Sequence, residues 1–297
     1  MQRPDPARIR ALVSLLSDAN PRVVDSARQA LREHGPKSLC YLDEAIESID
    51  AKLRGRARLV RDDVRGLVLE GEMRRLGERI DHDPAALEEG CVVLARTRDF
   101  ALDSSSVSLA LDRLADSLAA RLPAVREPEA VARAISRHLG SELGFQGAPR
   151  NYYDPDNWLL HLVLERRIGI PISLSAVYLF VARRLGLPLI GIGLPGHFVV
   201  RYGPVEAGLY LDPFHGGRVL DEAECVRFVE ERQLDYDPAH LLPVSDGAIL
   251  LRMLRNLVQS YRARGDANRQ ALLKRLRSML VGEEVSGPEL GAGEVDR

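Results

Sequence analysis

Between Ile168 and Ala182 the chain carries a long uncharged stretch, with Pro171, Ser173 and Ser175 inside it. The run is too short for the roughly 20 apolar residues of a membrane-spanning helix, and Arg183 and Arg184 end it. It predicts a core helix that opens on Pro171 and buries Leu174, Val177, Tyr178 and Val181. From Leu187 the texture changes. "LPLIGIG", "HFVVRY" and "GLYLDPF" are short β-prone runs separated by glycine and proline, which predicts three strands of an antiparallel sheet. A core helix beside a small antiparallel sheet makes the fold class α+β.

Helical periodicity fills the rest. Ile9, Leu12, Val13 and Leu16 share one helical face, Asp18-Ala19-Asn20-Pro21 makes a turn, and Val23, Val24, Ala27, Ala30 and Leu31 form the next stripe. This pair resembles a single HEAT repeat, and a lone repeat must pack on its neighbours. A third stripe is expected through Leu39, Leu42, Ile46, Ile49 and Leu53. From Arg54 to Arg79 arginines interleave with Asp62, Asp63, Glu70, Glu72 and Glu78, which reads as a solvated helix with i, i+4 pairs. Further helices are expected near Pro84–Ala95, Val107–Leu122, Pro128–Leu143 and Asp221–Glu231. Two more, Gly247–Arg264 and Asp266–Leu280, resemble one tetratricopeptide-like hairpin, and the acidic, glycine-rich end lacks apolar periodicity. The expected organisation is a HEAT-like region at 1–80, a core at 81–243, the hairpin at 244–280 and a disordered tail at 281–297.

Composition narrows the function classes. Lys+Arg at 41 against Asp+Glu at 43 leaves a formal charge of −2, so no global field draws in nucleic acid or an anionic membrane. Aromatic residues at 5% argue against base-stacking platforms. Cys40, Cys91 and Cys225 are too few and too scattered for a disulfide framework or a zinc ribbon. With no secretion signal at the start, the expected location is cytoplasmic. Neither a phosphate loop, a dinucleotide fingerprint nor a histidine pair at metal-ligand spacing occurs, so no cofactor and no metal are expected.

The chemistry-bearing residues lie between Asn151 and Leu220. Ser173 and Ser175 sit near the amino end of the core helix, where free N–H groups and the helix dipole favour negative charge. His197 follows a Pro-Gly turn at the start of one strand, and Asp212 ends the next. Neighbouring antiparallel strands can set His197 and Asp212 side by side. Helix end, imidazole and carboxylate, in that order, are the parts from which a nucleophile, a base and an orienting acid are assembled. Tyr152, Tyr153, Asn157 and His215 are candidates to border the same place as substrate-binding residues.

The run Gly144-Phe145, Tyr152-Tyr153-Asp154-Pro155, Asn157, Glu165-Arg166-Arg167 and Gly169-Ile170-Pro171-Ile172-Ser173 carries a family resemblance. Pro195-Gly196-His197-Phe198 and Asp212-Pro213-Phe214-His215-Gly216-Gly217 complete it. Over 144–220 the chain resembles bacterial transglutaminase-like proteins that carry a C-terminal tetratricopeptide-type extension. The resemblance implies a transglutaminase-like, papain-like core and a cysteine nucleophile at the start of the core helix. No cysteine stands there. Ser173 does, or Ser175 in a shifted register, and a hydroxyl is far less acidic than a thiol. The expectation is a module that binds a peptide or protein partner with little or no turnover. The alternatives are an amide hydrolase or acyltransferase using Ser173, His197 and Asp212, and a scaffold without a site.

Overall fold

The computed structural model describes residues 6–124, 127–148, 150–204, 208–233 and 235–283. The tail expected to be disordered falls almost wholly on 284–297, outside the described residues. The chain divides into two compact units, Met1–Arg74 and Arg75–Arg297.

The first unit is helical: α1 (Pro6–Ser14), α2 (Pro21–His34), α3 (Leu39–Ile46) and most of α4 (Ala51–Gly77). Asn20 caps α2 by accepting the Arg22 N–H at 3.0 Å, with Pro21 in the first turn, where its missing N–H costs nothing. Ile9, Val13, Leu16, Ala27, Leu31, Leu42, Ile46, Val60 and Val64 pack into one core. The third stripe stops earlier than its spacing suggests, because Asp50 accepts from Lys52 N and Leu53 N and starts a new helix. Ile49 is left 99% exposed. Charged groups of α4 also reach other helices of this unit. Arg28 pairs with Asp63, Arg61 and Arg65 reach Asp43, and Arg56 donates to the carbonyls of Leu16 and Asp18 at 2.7 and 2.8 Å. These pairs tie α4 to its neighbours.

The second unit is α+β. Its helices are α5 (Ala86–Arg96), α6 (Ser104–Ala119), α7 (Pro128–Ile135), α8 (Leu160–Arg166), α9 (Pro171–Arg184), α10 (Glu222–Glu230), α11 (Asp246–Ala263) and α12 (Ala267–Val281). Every residue of α9 from Pro171 to Ala182 is buried, as an uncharged core helix requires, and α6, α8, α11 and the sheet pack around it. The sheet holds four antiparallel strands in sequence order: β3 (Leu189–Ile192), β4 (Val199–Tyr202), β5 (Leu209–Asp212) and β6 (Arg218–Leu220). The fourth strand exceeds expectation because Gly216 and Gly217, both at positive φ, fold Arg218–Leu220 back onto β5. A short parallel pair, β1 (Gln146–Gly147) with β2 (Ile168–Gly169), lies apart from it.

The helix expected over 128–143 changes pitch. From Ser136 to Glu142 it is a π-helix, with the Leu143 N–H bonded to the His138 carbonyl at 2.9 Å. Gly140 there presses on the Gly216 carbonyl so closely that any side chain would collide. The widened turn therefore butts directly against the loop that follows Asp212. Among the described residues, no helix is long and apolar enough to cross a membrane.

Candidate functional site

The Pro195-Gly196 turn closes with the His197 N–H donating to the Leu194 carbonyl at 3.1 Å. That bond uses up the N–H a strand would need, so β4 begins at Val199, two residues beyond the position expected for His197. The register still brings the two groups together, since Val200 pairs with Leu211 and the ladder runs out beside His197 and Asp212. His197 Nε2 lies 2.8 Å from Asp212 Oδ2, and both side chains are buried, at 4% and 3% exposure.

Asp212 has more partners than an orienting acid needs. Its Oδ1 accepts from the backbone N–H groups of Phe214 and His215 at 3.0 and 3.3 Å, which caps the turn after β5. Its Oδ2 also meets His215 Nδ1 at 2.7 Å. Burial pushes the Asp212 pKa up, but the hydrogen bonds and charges of His197 and His215 outweigh it and hold the carboxyl below its usual range. An ionised Asp212 only accepts, so both facing nitrogens, His197 Nε2 and His215 Nδ1, carry the N–H of these bonds.

The hydroxyls do not meet this imidazole. Ser173 is the third residue of α9; its Oγ donates to the Asn157 carbonyl at 2.7 Å and accepts from the Ile170 N–H at 3.1 Å. It is a helix cap that also ties down the preceding loop. Ser175 lies one step past the first turn and donates to the Phe198 carbonyl at 3.4 Å. Among the described residues no hydrogen bond joins either hydroxyl to His197. Asn157 is buried and acts as a latch: its amide donates to the Asn151 carbonyl at 2.9 Å and its Oδ1 receives Arg166.

Both tyrosines belong to a chain of rings that reaches His197. Tyr153 is exposed, and Tyr152 beside it meets Phe214 edge-to-face at 6.1 Å. Phe214 stands edge-on to His197 at 5.9 Å, and Phe228 of α10 lies tilted over the same imidazole at 4.5 Å. Gly147 of β1 is needed here, because a side chain would strike the Phe214 ring. A row of rings thus runs from Tyr153 to Phe228 with His197 in it and the half-exposed His215 alongside.

Phe228 and Arg252 carry no signal in the sequence, where each is an ordinary helix residue. The Arg252 guanidinium donates to the carbonyls of His197 and Leu194 at 2.8 and 3.2 Å and holds the Pro-Gly turn from the α11 side. Burial lowers its pKa against a smaller opposing pull from Tyr152. Cys225 is no substitute nucleophile: burial first, then Asp212 and other acids, push its thiol up to about 12. The fold also gathers the nitrogens of His197 and His215 with a carboxylate oxygen of Asp212 to within 4.8 Å of one another, three atoms able to ligate a metal ion and a grouping that sequence spacing does not reveal.

The family described as the transglutaminase-like superfamily matches residues 105–255. A UPF0162 protein of Xylella fastidiosa is 47% identical over 135 residues, which are 43% of this chain and 48% of that protein. A UPF0162 protein of Pseudomonas aeruginosa is 33% identical over 62% of this chain and 68% of its own length. F-box only protein 21 of Mus musculus is 34% identical over 48% of this chain and 23% of its own. The chain thus spans about half the length of the Xylella relative. No solved structure matches it.

Proposed function

Because the chain belongs to the transglutaminase-like superfamily, we propose that its core is a peptide- or protein-binding module with little or no turnover, centred on His197 and Asp212. The observation that carries this reading is the commitment of Ser173. Its hydroxyl is already bonded on both sides, to Asn157 and Ile170, while His197 Nδ1 has no partner among the described residues. A base without a nucleophile in reach does not start acyl transfer.

The surroundings favour recognition. Tyr153, Tyr152, Phe214 and Phe228 offer partly exposed rings beside His197, the kind of rigid anchor on which binding energy concentrates. Arg252 has no carboxylate partner among the described residues, so a cation stands ready for an acidic group or a main-chain carbonyl of the ligand. We read α1–α2 as HEAT-like and α11–α12 as tetratricopeptide-like, each a further docking face, and we place the protein in the cytoplasm.

The test is a peptide-library selection on the purified full chain, followed by titration of the selected peptides against variants. Phe228→Ala should weaken them about tenfold or more. In parallel, amine incorporation and amide release should be absent. A second reading, hydrolase or acyltransferase chemistry, draws support from Ser175, whose hydroxyl contacts the residue next to His197. Turnover abolished by His197→Ala together with Ser173→Ala or Ser175→Ala would establish that reading and end ours.

A further inference from the structure

One oxygen of Asp212 faces two imidazoles. Oδ2 stands 2.8 Å from His197 Nε2 and 2.7 Å from His215 Nδ1, while Oδ1 is held away by two backbone N–H groups. We propose that His197, Asp212 and His215 form a binding site for a divalent first-row transition cation, with His197 Nε2, His215 Nδ1 and Asp212 Oδ2 as its three protein ligands.

Two of the three ligand separations are close to what an ion needs, and all three ligand atoms lie within 4.8 Å of one another. With ligand atoms about 2.1 Å from the metal, neighbouring ligands stand roughly 3.0 Å apart in an octahedron and roughly 3.4 Å in a tetrahedron. The two nitrogen-to-oxygen separations, 2.8 and 2.7 Å, need to open by only a few tenths of an ångström for the former. Two imidazoles and one carboxylate are a donor set suited to zinc and its neighbours. The supporting shell is also present. Oδ1 is fixed by the Phe214 and His215 N–H groups, and the His197 ring is held between Phe214 and Phe228. His215 is 53% exposed, which gives the ion an entry side and leaves its remaining positions to water. The guanidinium of Arg232 over Phe228 and that of Arg252 behind His197 oppose a cation, so the site is of the open, exchangeable kind.

The protons balance without loss. Each neutral ring moves its proton to the far nitrogen, Nδ1 of His197 and Nε2 of His215, and the carboxylate stays ionised throughout. A consequence follows for His197: with the ion on Nε2, its Nδ1 carries the proton and cannot act as a base. Metal occupancy and general-base use of His197 exclude each other. None of this rests on the peptide-binding reading.

The test uses the full chain in a Cys40→Ser background, since Cys40 is an exposed thiol that would bind zinc by itself. Chelator-treated protein is titrated calorimetrically with Zn2+ and, separately, with Co2+ for its visible spectrum. One ion per chain is expected, with cobalt bands free of thiolate character. His215→Ala should weaken binding at least about tenfold. His215→Asn, which keeps a donor toward Asp212, should weaken it similarly, and the exposed His82→Ala should leave it unchanged. Failure to bind Zn2+, or equal affinity in both His215 variants and the parent, overturns the proposal.

Discussion

Among the described residues, the second unit contains two histidine–carboxylate networks that differ in nearly everything except their chemistry. At the sheet, His197 and His215 share buried Asp212. Among the helices, His138 bonds Ser117 Oγ at 2.8 Å through Nε2 and Glu142 at 2.9 Å through Nδ1. The helical set, not the sheet set, has the bonded order serine, histidine, acid. It is nevertheless built by local means: Glu142 lies four residues after His138, and Ser117 comes from one facing helix. Its hydroxyl also has the Leu114 carbonyl at 2.8 Å as an alternative acceptor, and Glu142 is shared with Arg121 and Arg137. A bonded serine–histidine–acid chain is therefore weak evidence for catalysis, and the burial and partner load of the acid separate the two networks better.

The largest expected effect tests that difference in load. Asp212→Ala removes the acceptor of four N–H groups from a buried position, two of them imidazole. Leaving a buried donor without its acceptor costs about 1–3 kcal/mol for each group. Glu142→Ala removes a carboxylate in contact with solvent, and its loss in urea denaturation should be clearly the smaller. An equal or larger loss for Glu142→Ala would dissolve the contrast.

A smaller effect separates the hydroxyls. Ser173→Ala should cost about 1 kcal/mol, the usual value of a cap, and should leave the ring nitrogen shifts of His197 in place. Ser117→Ala should move the His138 Nε2 resonance. Nitrogen NMR on the two variants checks both, and a shift of His197 in Ser173→Ala would restore the serine to the sheet network.

The same contrast explains how much could be read beforehand. α9, the Pro-Gly turn and the Asp-Pro turn were legible because periodicity and breakers act over a few residues. The His197–Asp212 contact was legible because adjacent strands must pair. The sequence places His215 at the border of the site and not as a second partner of Asp212, since the direction of a side chain in a turn depends on the backbone around it, here Gly216 and Gly217 at positive φ. The π-helix is not legible because the Gly216 carbonyl that packs against its Gly140 is distant in sequence. Phe228 and Arg252 reach the site from helices whose placement no local pattern records. Ser173 as a cap was visible in principle, being the third residue after an extended Ile170, but its bond to the Asn157 carbonyl needed the folded loop.

The smallest expected effect is in acid. The hydrogen bond from His138 chiefly holds the Glu142 carboxyl below its ordinary range, with burial opposing and Arg121 adding to the depression. A folded value below the unfolded one means that the stabilisation is complete above the unfolded pKa, near 4.3 for a glutamate (about that in model peptides). It is lost as pH falls through the lower folded value. Glu142→Gln has no such titration. The parent should therefore exceed the variant in stability at neutral pH, and the gap should narrow below about pH 4. Urea denaturation of both proteins at neutral pH and at about pH 3 measures that gap. A gap of constant size would mean that Glu142 carries no charge-dependent bond to His138, and the helical network would then be a contact of shape alone.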